Sequence, residues 1–247
     1  MRVGVFTAGY NCEQWAAHCI QSVRSQEGVE WVHGVGVDVS SDGTYTECVR
    51  AAAGDKRINI VQTPKRGYGI TTRRLAIDSM IERYGLANDD ILFDLGMDDY
   101  ALPGALKIVH HVHECGAWAT YGNWQDPTGY VWPHVIWTRE MFAARRRSQW
   151  FMTAPNTLRV GLYKAIPEEW WRIGGTGKEY ETNFDAVIAI AAAELSGFDR
   201  VKGIPDPLIC YNRNREGCAS QVWDRAYRQQ QYHEIRNKPE LHPLEAL

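Results

Sequence analysis

The alternation of short apolar segments with helical patterns is the feature that most constrains the fold. Strand-like segments occur at residues 2–6, 31–38 and 58–62, and a fourth strand begins at Ile91. Between the third and the fourth, Ile77, Met80 and Ile81 recur at helical spacing. Strands that alternate with helices form a parallel sheet with right-handed crossovers. The first half therefore predicts an α/β fold, in which ligands bind beyond the carboxyl ends of the strands.

The second half has a different pattern. It predicts helices at 103–115, 186–195 and 221–237, strands at 118–121 and 208–211, a β-turn at 126–129, loops up to residue 181, and a fraying tail. No linker or repeat interrupts the chain, so we expect one domain over residues 1–247. Its parts are a ligand-binding half (1–106), a second half (107–218), and a C-terminal helix and tail (219–247).

Composition excludes several classes of protein. The net charge of −3 gives no general attraction to nucleic acid or to an anionic membrane. No apolar run approaches the roughly 18–20 residues that a transmembrane helix needs. The six cysteines form no CxxC pair and no evident disulfide framework, which indicates a reduced, cytoplasmic protein. The ten Trp and twelve Tyr residues suit stacking on sugars or bases, although such rings are also common in cores.

An acidic cluster follows the fourth strand. Asp94, Asp98 and Asp99 lie at or just beyond its carboxyl end. Clustered carboxylates in this place suit a divalent cation that also binds substrate phosphates. A solvated acidic turn is the alternative interpretation.

Other polar loops are expected at the same edge of the sheet. Residues 7–11 lead into a helix N-terminus, which favours an anion. Asp38 ends the second strand, where a carboxylate can accept from a base N–H or a ribose hydroxyl. Arg66, Arg73 and Arg74 can offset diphosphate charge. A nucleotide diphosphate with a metal ion would fill such a crevice.

These segments resemble motifs of family 2-type glycosyltransferases of the GT-A fold. The family's Thr-x-x-Tyr-Asn is matched at residues 7–11, and its Ser-Val-x-x-Gln at 22–26. Its Asp-Asp-Gly-Ser-x-Asp-Gly-Thr resembles residues 37–44, and its Gly-x-x-x-Ala-Arg-Asn resembles 69–75. Its acidic metal motif with the following Pro-Gly-Ala-Leu is similar to residues 96–106. The similarity extends over most of the chain, and the order and spacing of the motifs are more specific than any one of them.

The resemblance implies a GT-A-like (Rossmann-type) mixed sheet flanked by helices, with an acceptor-side second half. It implies a hexosyltransferase-type enzyme that takes a sugar from a nucleotide-diphosphate sugar, with a UDP-sugar favoured. The implied reaction is a metal-dependent, direct displacement with inversion. Asp98 would hold Mn²⁺ or Mg²⁺. The residues that would line the nucleotide and sugar are Thr7, Ala8, Tyr10, Asp38, Arg66, Gly69, Arg74 and Met97.

The chain departs from the family pattern at several positions. Gly96 replaces the first acid of the metal motif and Val37 the first acid of the second-strand motif. Asn214 stands near the His that often completes the metal site. Asn183 stands where the family has its catalytic Asp, and an amide cannot act as a general base. Asp185 or Glu181 would then deprotonate the acceptor, unless Asp185 is only a helix N-cap.

The acceptor and some alternatives stay open. A saccharide, a glycoconjugate or a hydroxylated DNA base each fits a chain whose second half carries Arg145–147 beside Trp150. Trp124, Trp132, Trp170 and Trp171 offer further stacking surfaces. A nucleotidyltransferase and a nucleotide-sugar-binding module without turnover are the alternatives. Histidines 110, 111 and 113 with Cys115 form a weaker candidate metal site, which we interpret as helix residues.

Overall fold

A computed structural model describes residues 1–147, 152–212 and 224–247. The strands are β1 (Val3–Gly9), β2 (Trp31–Val37), β3 (Ile58–Gln62), β4 (Ile91–Gly96), β5 (Tyr100–Ala101), β6 (Ala119–Gln125), β7 (Asn156–Arg159) and β8 (Val201–Cys210). The α-helices are α1 (Glu13–Arg24), α2 (Thr44–Ala52), α3 (Tyr68–Tyr84), α4 (Ala105–Glu114), α5 (Arg139–Ala143), α6 (Val160–Ala165), α7 (Phe184–Ser196) and α8 (Arg225–Arg236). Short 3-10 helices cover Glu168–Trp171 and Phe198–Arg200.

All eight of these strands form one mixed sheet in the order β3-β2-β1-β4-β7-β6-β8-β5. β1 to β4 are mutually parallel, whereas β7 runs antiparallel to both β4 and β6. Two hydrophobic clusters pack on the sheet: one contains α3, α7 and the tail, and the other contains α1, α2 and α4. The prediction of a mixed α/β sheet flanked by helices is confirmed.

Helix α3 packs unusually close to β2. A Cβ atom on Gly34 would lie 2.6 Å from the carbonyl oxygen of Ala76, and one on Gly36 would lie 2.6 Å from that of Thr72. Both contacts are too short for a methyl group, so glycine at these positions lets the helix lie directly on the strand. This contact fixes the N-terminal turn of α3 over the carboxyl ends of the central strands.

Several local predictions were wrong. The segment expected to be loop up to residue 181 contains β7, which sits in the middle of the sheet, and α6. The C-terminal tail does not fray: the Leu244 N–H donates to the Leu195 carbonyl at 2.9 Å.

The arginines at 145–147 do not form a free basic patch. Arg145 and Arg146 both pair with Glu194, whose side chain is fully buried in α7. Arg146 also donates to the main chain of the tail at Arg236. Trp150 lies outside the described residues. The pairing removes the observation on which the nucleic-acid interpretation of this segment depended, because two of the three charges are already neutralised.

Within the described residues, no helix is long and apolar enough to cross a membrane. The cysteines at positions 12, 19, 48, 115 and 210 are all free thiols, and Cys218 lies outside the described residues.

Two buried histidines make stability depend on pH. Burial lowers the pKa of His33 and of His113 to about 3. Their neutral forms are favoured in the folded state, so their contribution is fully present above the unfolded pKa near 6.5 and is lost as the pH falls toward 3. Each histidine then lowers the free energy of unfolding by about 1.4 kcal/mol per pH unit.

We therefore expect a steep loss of stability between pH 6.5 and 4, measured by urea denaturation. The double variant His33→Gln/His113→Gln should show a flatter pH dependence, whatever its absolute stability at pH 7. His242→Gln, at an exposed histidine, is the control and should keep the wild-type slope. An unchanged slope in the double variant would contradict the prediction.

Candidate active site

The carboxyl ends of β1, β2 and β4 form the floor of the candidate site. In the parallel register Ala8 lies beside Gly96, and Gly9 beside Val37. Adjacent strands are about 4.8 Å apart, so the loops that follow these strands lie close together. This register agrees with the sequence prediction that residues 8–11, 38–44 and 97–99 lie at the same edge of the sheet.

Two carboxylates converge over Gly96. An ideal Cβ at this glycine would lie 2.7 Å from Oδ2 of Asp99 and 2.9 Å from Oδ1 of Asp98. A side chain at position 96 would therefore collide with both acids. Asp99 is buried, and its Oδ1 accepts from the Asn212 N–H at 2.8 Å. The space that the family's first acid would fill is thus taken by the carboxylates of Asp98 and Asp99.

This pair suits a divalent cation that completes its coordination elsewhere. Mg²⁺ commonly binds through one or two carboxylates plus substrate phosphates and water. Among residues 1–147, 152–212 and 224–247, no three His, Cys, Asp or Glu side chains group as a metal site. A pair of carboxylates suits an ion that arrives with a diphosphate, whose oxygens supply further ligands. Asn214 lies outside the described residues.

Arg73 lies among three carboxylates. Its Nε donates to Oδ1 of Asp94 at 3.2 Å. Burial opposes the charged guanidinium, but Asp94, Asp185 and Asp98 together hold the pKa of Arg73 above its usual value. Burial raises the pKa of Asp94, Asp185 raises it further, and Arg73 only partly offsets the rise. The charge of Arg73 is therefore favoured by acids from both β4 and the start of α7.

Asp185 reaches this cluster through the packing of α7. Phe184 makes an edge-to-face contact with Phe6 of β1, with ring centroids 5.8 Å apart, and the Arg73 guanidinium lies 5.2 Å from the Phe184 ring centre. Asp185 itself is exposed and lies in the first turn of α7. The N-cap of that helix is Asn183, so Asp185 is not the N-cap residue.

Glu181, the other candidate for the base, and Asn183, at the family's Asp position, are both engaged elsewhere. Glu181 accepts from the Tyr227 hydroxyl at 2.7 Å, and burial together with Glu181 raises the pKa of Tyr227 to about 12. The Asn183 side chain donates to the Arg228 carbonyl at 3.0 Å. Both residues tie the start of α7 to α8, which leaves Asp185 as the acid of this segment that faces the cluster.

Asp38 has a different role from the one expected. It is buried, and its two oxygens accept from the main-chain N–H groups of Val39, Gly67 and Tyr68 and from the side chains of Thr63 and Arg66. A carboxylate offers about four lone-pair sites, so it has none left for a base or a ribose. The prediction of direct recognition by Asp38 is corrected: Asp38 holds the loop from residue 63 to 68 in place.

That loop presents Arg66 to the crevice. The Arg66 guanidinium lies 3.2 Å from the ring centre of Tyr10 and 5.0 Å from that of Tyr68. Tyr10 is 39% exposed and the Arg66 side chain 34%. The exposed edges of this stack border the loop after β1, as the sequence prediction for Tyr10 and Arg66 requires.

Two predicted nucleotide contacts are buried. Thr7 has no exposed surface, and its Oγ1 lies 2.8 Å from Nε2 of His33. Met97 is also fully buried, because its thioether packs against Gly9 and lies 3.9 Å from Sγ of Cys48. The predictions for these two side chains are corrected, since both are packed in the core and neither presents surface to a ligand. Ala8, next to them, is half-buried and remains at the edge.

Arg74, predicted to line the nucleotide or sugar, is engaged by acids, whereas its neighbour Arg73 pairs with Asp94. Arg74 pairs with Glu168 at 2.8 Å and with Glu179 at 2.6 Å, and lies over the ring of Trp171. Successive helix residues point about 100° apart, so Arg73 faces β4 while Arg74 faces the segment before α7. In the sequence, the feature that could have indicated a partly buried cation such as Arg73 is Asp94, an acid in an otherwise apolar strand. Gly69 remains close to this region, with its N–H 3.4 Å from the Glu181 carbonyl.

The histidines of α4 do not form a second site. His113 is buried and its Nε2 lies 2.8 Å from Oγ1 of Thr157. His110 lies 3.3 Å from Glu114, and His111 lies 3.8 Å from Sγ of Cys115. These contacts agree with the interpretation of all of them as helix residues.

Solved glycosyltransferase structures share this arrangement of strands and helices. S. aureus TarS 1-349 in complex with UDP-GlcNAc matches with a TM-score of 0.64 and 15% identity over 91% of this chain and 62% of its own. Its complex with UDP matches with a TM-score of 0.61 and 17% identity over 86% and 60%. The fold is GT-A-like. Mannosyltransferase PcManGT from Pyrobaculum calidifontis, in complex with GDP-Man and Mn²⁺, matches with a TM-score of 0.60 and 15% identity over 95% and 62%.

The chain spans less than two thirds of the length of each of these structures. No protein-family model and no curated protein matches it. At such low identity the likeness concerns the fold.

Proposed function

We propose that this chain is a metal-dependent glycosyltransferase of the hexosyltransferase type. It would move a sugar from a nucleotide-diphosphate sugar to an acceptor hydroxyl. The observation that carries the proposal is the placement of Asp98 and Asp99 at the carboxyl end of β4, with Arg73 paired to Asp94 of the same strand at 3.2 Å. A UDP-sugar is the favoured donor, because TarS carries UDP-GlcNAc or UDP on the same fold.

The proposed donor site uses the residues that the crevice exposes. Tyr10 and Arg66 would face the nucleotide, with Ala8 and Gly69 along its edge. Asp98, with Asp99 beside it, would hold Mn²⁺ or Mg²⁺ against the diphosphate; PcManGT carries Mn²⁺ on this fold. When bound, the ion supplies positive charge that stabilises the leaving diphosphate.

The proposed reaction is a single displacement with inversion. Asp185 accepts the proton of the acceptor hydroxyl while that oxygen forms a bond to the anomeric carbon. The bond from this carbon to the diphosphate oxygen breaks, and the nucleoside diphosphate leaves with the electron pair. Arg73, whose charged form the surrounding acids favour, would face the charge that develops on the diphosphate.

The acceptor is proposed by class only. A saccharide or glycoconjugate is favoured over a hydroxylated DNA base, because Arg145 and Arg146 are paired with Glu194 and are not free to bind phosphates.

The direct test is release of nucleoside diphosphate from UDP-, GDP- and dTDP-sugars, with Mn²⁺ or with EDTA. We expect slow, metal-dependent release from one donor even without an acceptor, because water can replace the hydroxyl. Calorimetry with the same donors separates binding from turnover. Metal-assisted binding without release under any condition would indicate a binding module, and no binding of any nucleotide sugar would refute the proposal.

The neighbouring arginines of α3 provide a matched pair of variants. Arg73→Gln should lower kcat/KM for diphosphate release by about 10²-fold, since a positioned cation is lost next to the reacting groups. Arg74→Gln should instead lower the free energy of unfolding by about 1–3 kcal/mol, because it removes charged hydrogen bonds to Glu168 and Glu179, and should keep activity per folded molecule.

Arg73→Gln also leaves Asp94 buried without its cation, so a loss of activity through misfolding must be excluded. The double variant Arg73→Gln/Asp94→Asn removes both charges and should recover stability in urea denaturation without recovering activity. Recovery of activity in the double variant would show that Arg73 only neutralises Asp94.

A further inference from the structure

Three aromatic rings form a row on the acceptor side of the sheet. Trp132 stacks on Trp124, with ring centroids 5.1 Å apart and planes 24° apart. Trp124 contacts the ring of Tyr211 edge-on, with centroids 5.3 Å apart. Trp124 is 7% exposed, whereas Trp132 is 38% exposed. One face of the Trp132 indole is therefore covered by a buried ring, and the rest of the side chain meets solvent.

The main chain holds Trp132 rigidly in this place. Its N–H donates to the Trp124 carbonyl at 3.0 Å, and its carbonyl accepts from the Asn123 side chain at 3.0 Å. The turn before it is closed by Asp126, whose Oδ1 accepts from the N–H groups of Thr128 and Tyr130. A large aromatic side chain fixed in an exposed position is preorganised for binding, because little conformational entropy remains to be lost.

The row leads to the candidate metal site. The Tyr211 N–H donates to the Gln125 carbonyl at 2.7 Å, which joins β6 to the end of β8. The next residue, Asn212, donates its N–H to Asp99. The aromatic row thus ends one residue from a contact of the paired carboxylates, on the side of the site away from Tyr10 and Arg66.

The other predicted stacking residues are unsuited to this role. Trp170 and Trp171 are 1% and 2% exposed, and Trp150 lies outside the described residues. Trp132 is therefore the candidate with an available surface among the tryptophans that the sequence suggested.

We infer that the exposed face of Trp132 is a platform for a sugar ring of the acceptor, and that the acceptor is a saccharide chain. The inference rests on the proposed function and names its acceptor class. The apolar C–H face of a pyranose stacks on an indole ring, and a row that begins at Trp132 and ends beside Asp99 directs a chain bound there toward the transferred sugar. A nucleobase would also stack on a tryptophan, but Arg145 and Arg146, the arginines that the sequence suggested for its phosphates, are paired with Glu194.

Neighbouring exposed side chains make a lipid surface the main competitor. Val131, Val135 and Ile136 of the same segment are 42%, 36% and 58% exposed. Ile136 lies outside the aromatic row, so its replacement separates the two ligands: a lipid surface would use Ile136, whereas a stacked sugar would not.

The test compares Trp132→Ala with Ile136→Ser on the full chain. Binding is measured on a broad array of neutral oligosaccharides, followed by titration of the best glycan in solution. We expect Trp132→Ala to weaken this binding on the order of tenfold or more, Trp132→Tyr to restore most of it, and Ile136→Ser to leave it unchanged. Thermal unfolding of each variant identifies any that fails to fold, and Trp132→Tyr then serves in place of the alanine variant.

Cosedimentation with phosphatidylcholine and phosphatidylglycerol vesicles forms the second arm. Three results would each overturn the inference. They are an array that retains no glycan, equal binding of the glycan by Trp132→Ala and wild type, and binding of the protein to vesicles that Ile136→Ser abolishes. Donor binding is measured separately with nucleotide sugars and Mn²⁺. Glycan binding through Trp132 without donor binding would refute the glycosyltransferase proposal and leave a saccharide site. Donor turnover without glycan binding would refute the Trp132 platform and leave the glycosyltransferase proposal standing.

Discussion

Replacing Asp98 by asparagine should abolish the metal dependence of donor binding and lower the rate of nucleoside-diphosphate release by about 10²- to 10³-fold. The amide keeps the size of the side chain but removes the charge that we propose to hold the metal ion. Asp99 remains in this variant, but the pair is reduced to one carboxylate, whose Oδ1 already accepts from the Asn212 N–H. The measurement is calorimetry of the donor with Mn²⁺ and with EDTA, together with the rate of release.

Asp89→Asn is the matched control. Asp89 precedes β4 at the opposite end of the strand, is 68% exposed, and pairs with Arg159. The substitution removes the same charge far from the site, and a surface ion pair contributes only about 0–1 kcal/mol to stability. Wild-type metal dependence in Asp98→Asn would remove the metal-binding role from this carboxylate.

Asp185→Asn should leave donor affinity intact and lower turnover by about 10²- to 10⁴-fold. The amide can no longer accept a proton, while the exposed side chain at the start of α7 has no described part in folding. Binding of the nucleotide sugar and metal is read by calorimetry, and turnover by single-turnover release of nucleoside diphosphate. Loss of turnover at constant donor affinity is the signature of an interaction used in the transition state.

Glu181→Gln distinguishes the two candidate bases. Glu181 accepts from the Tyr227 hydroxyl, so its variant should affect the packing of α8 and retain most of the turnover. The opposite result, with Glu181→Gln inactive and Asp185→Asn active, would reassign the base to Glu181.

The departure at Gly96 has a structural explanation. In the family pattern an acid stands there, but in this chain the carboxylates of Asp98 and Asp99 fill the space that its Cβ would occupy. The glycine thus permits two adjacent acids to face the same point. The departure at position 183 is similar in kind, because Asn183 ties α7 to α8 and the acid two residues later faces Arg73.

The sequence by itself determined the parts of this protein that depend on local pattern. The bounds of β3 were predicted correctly, and β1, β2 and β4 to within a few residues, because apolar runs of strand length with polar ends are local signals. The clustering of residues 8–11, 38–44 and 97–99 at one edge followed from the parallel topology. The position of Asp98 and the exposure of Tyr10 were predictable for the same reason.

Only the tertiary structure decided how individual side chains are used. Arg73 and Arg74 differ because they meet acids that are 21 and 105 residues away in the chain, and one folded loop supplies four of the five donors that saturate Asp38. β7 has four residues and too little pattern to identify it, yet it pairs with β4 and β6 at the centre of the sheet. These outcomes come from contacts between distant segments, whose energies a local pattern of residues does not contain.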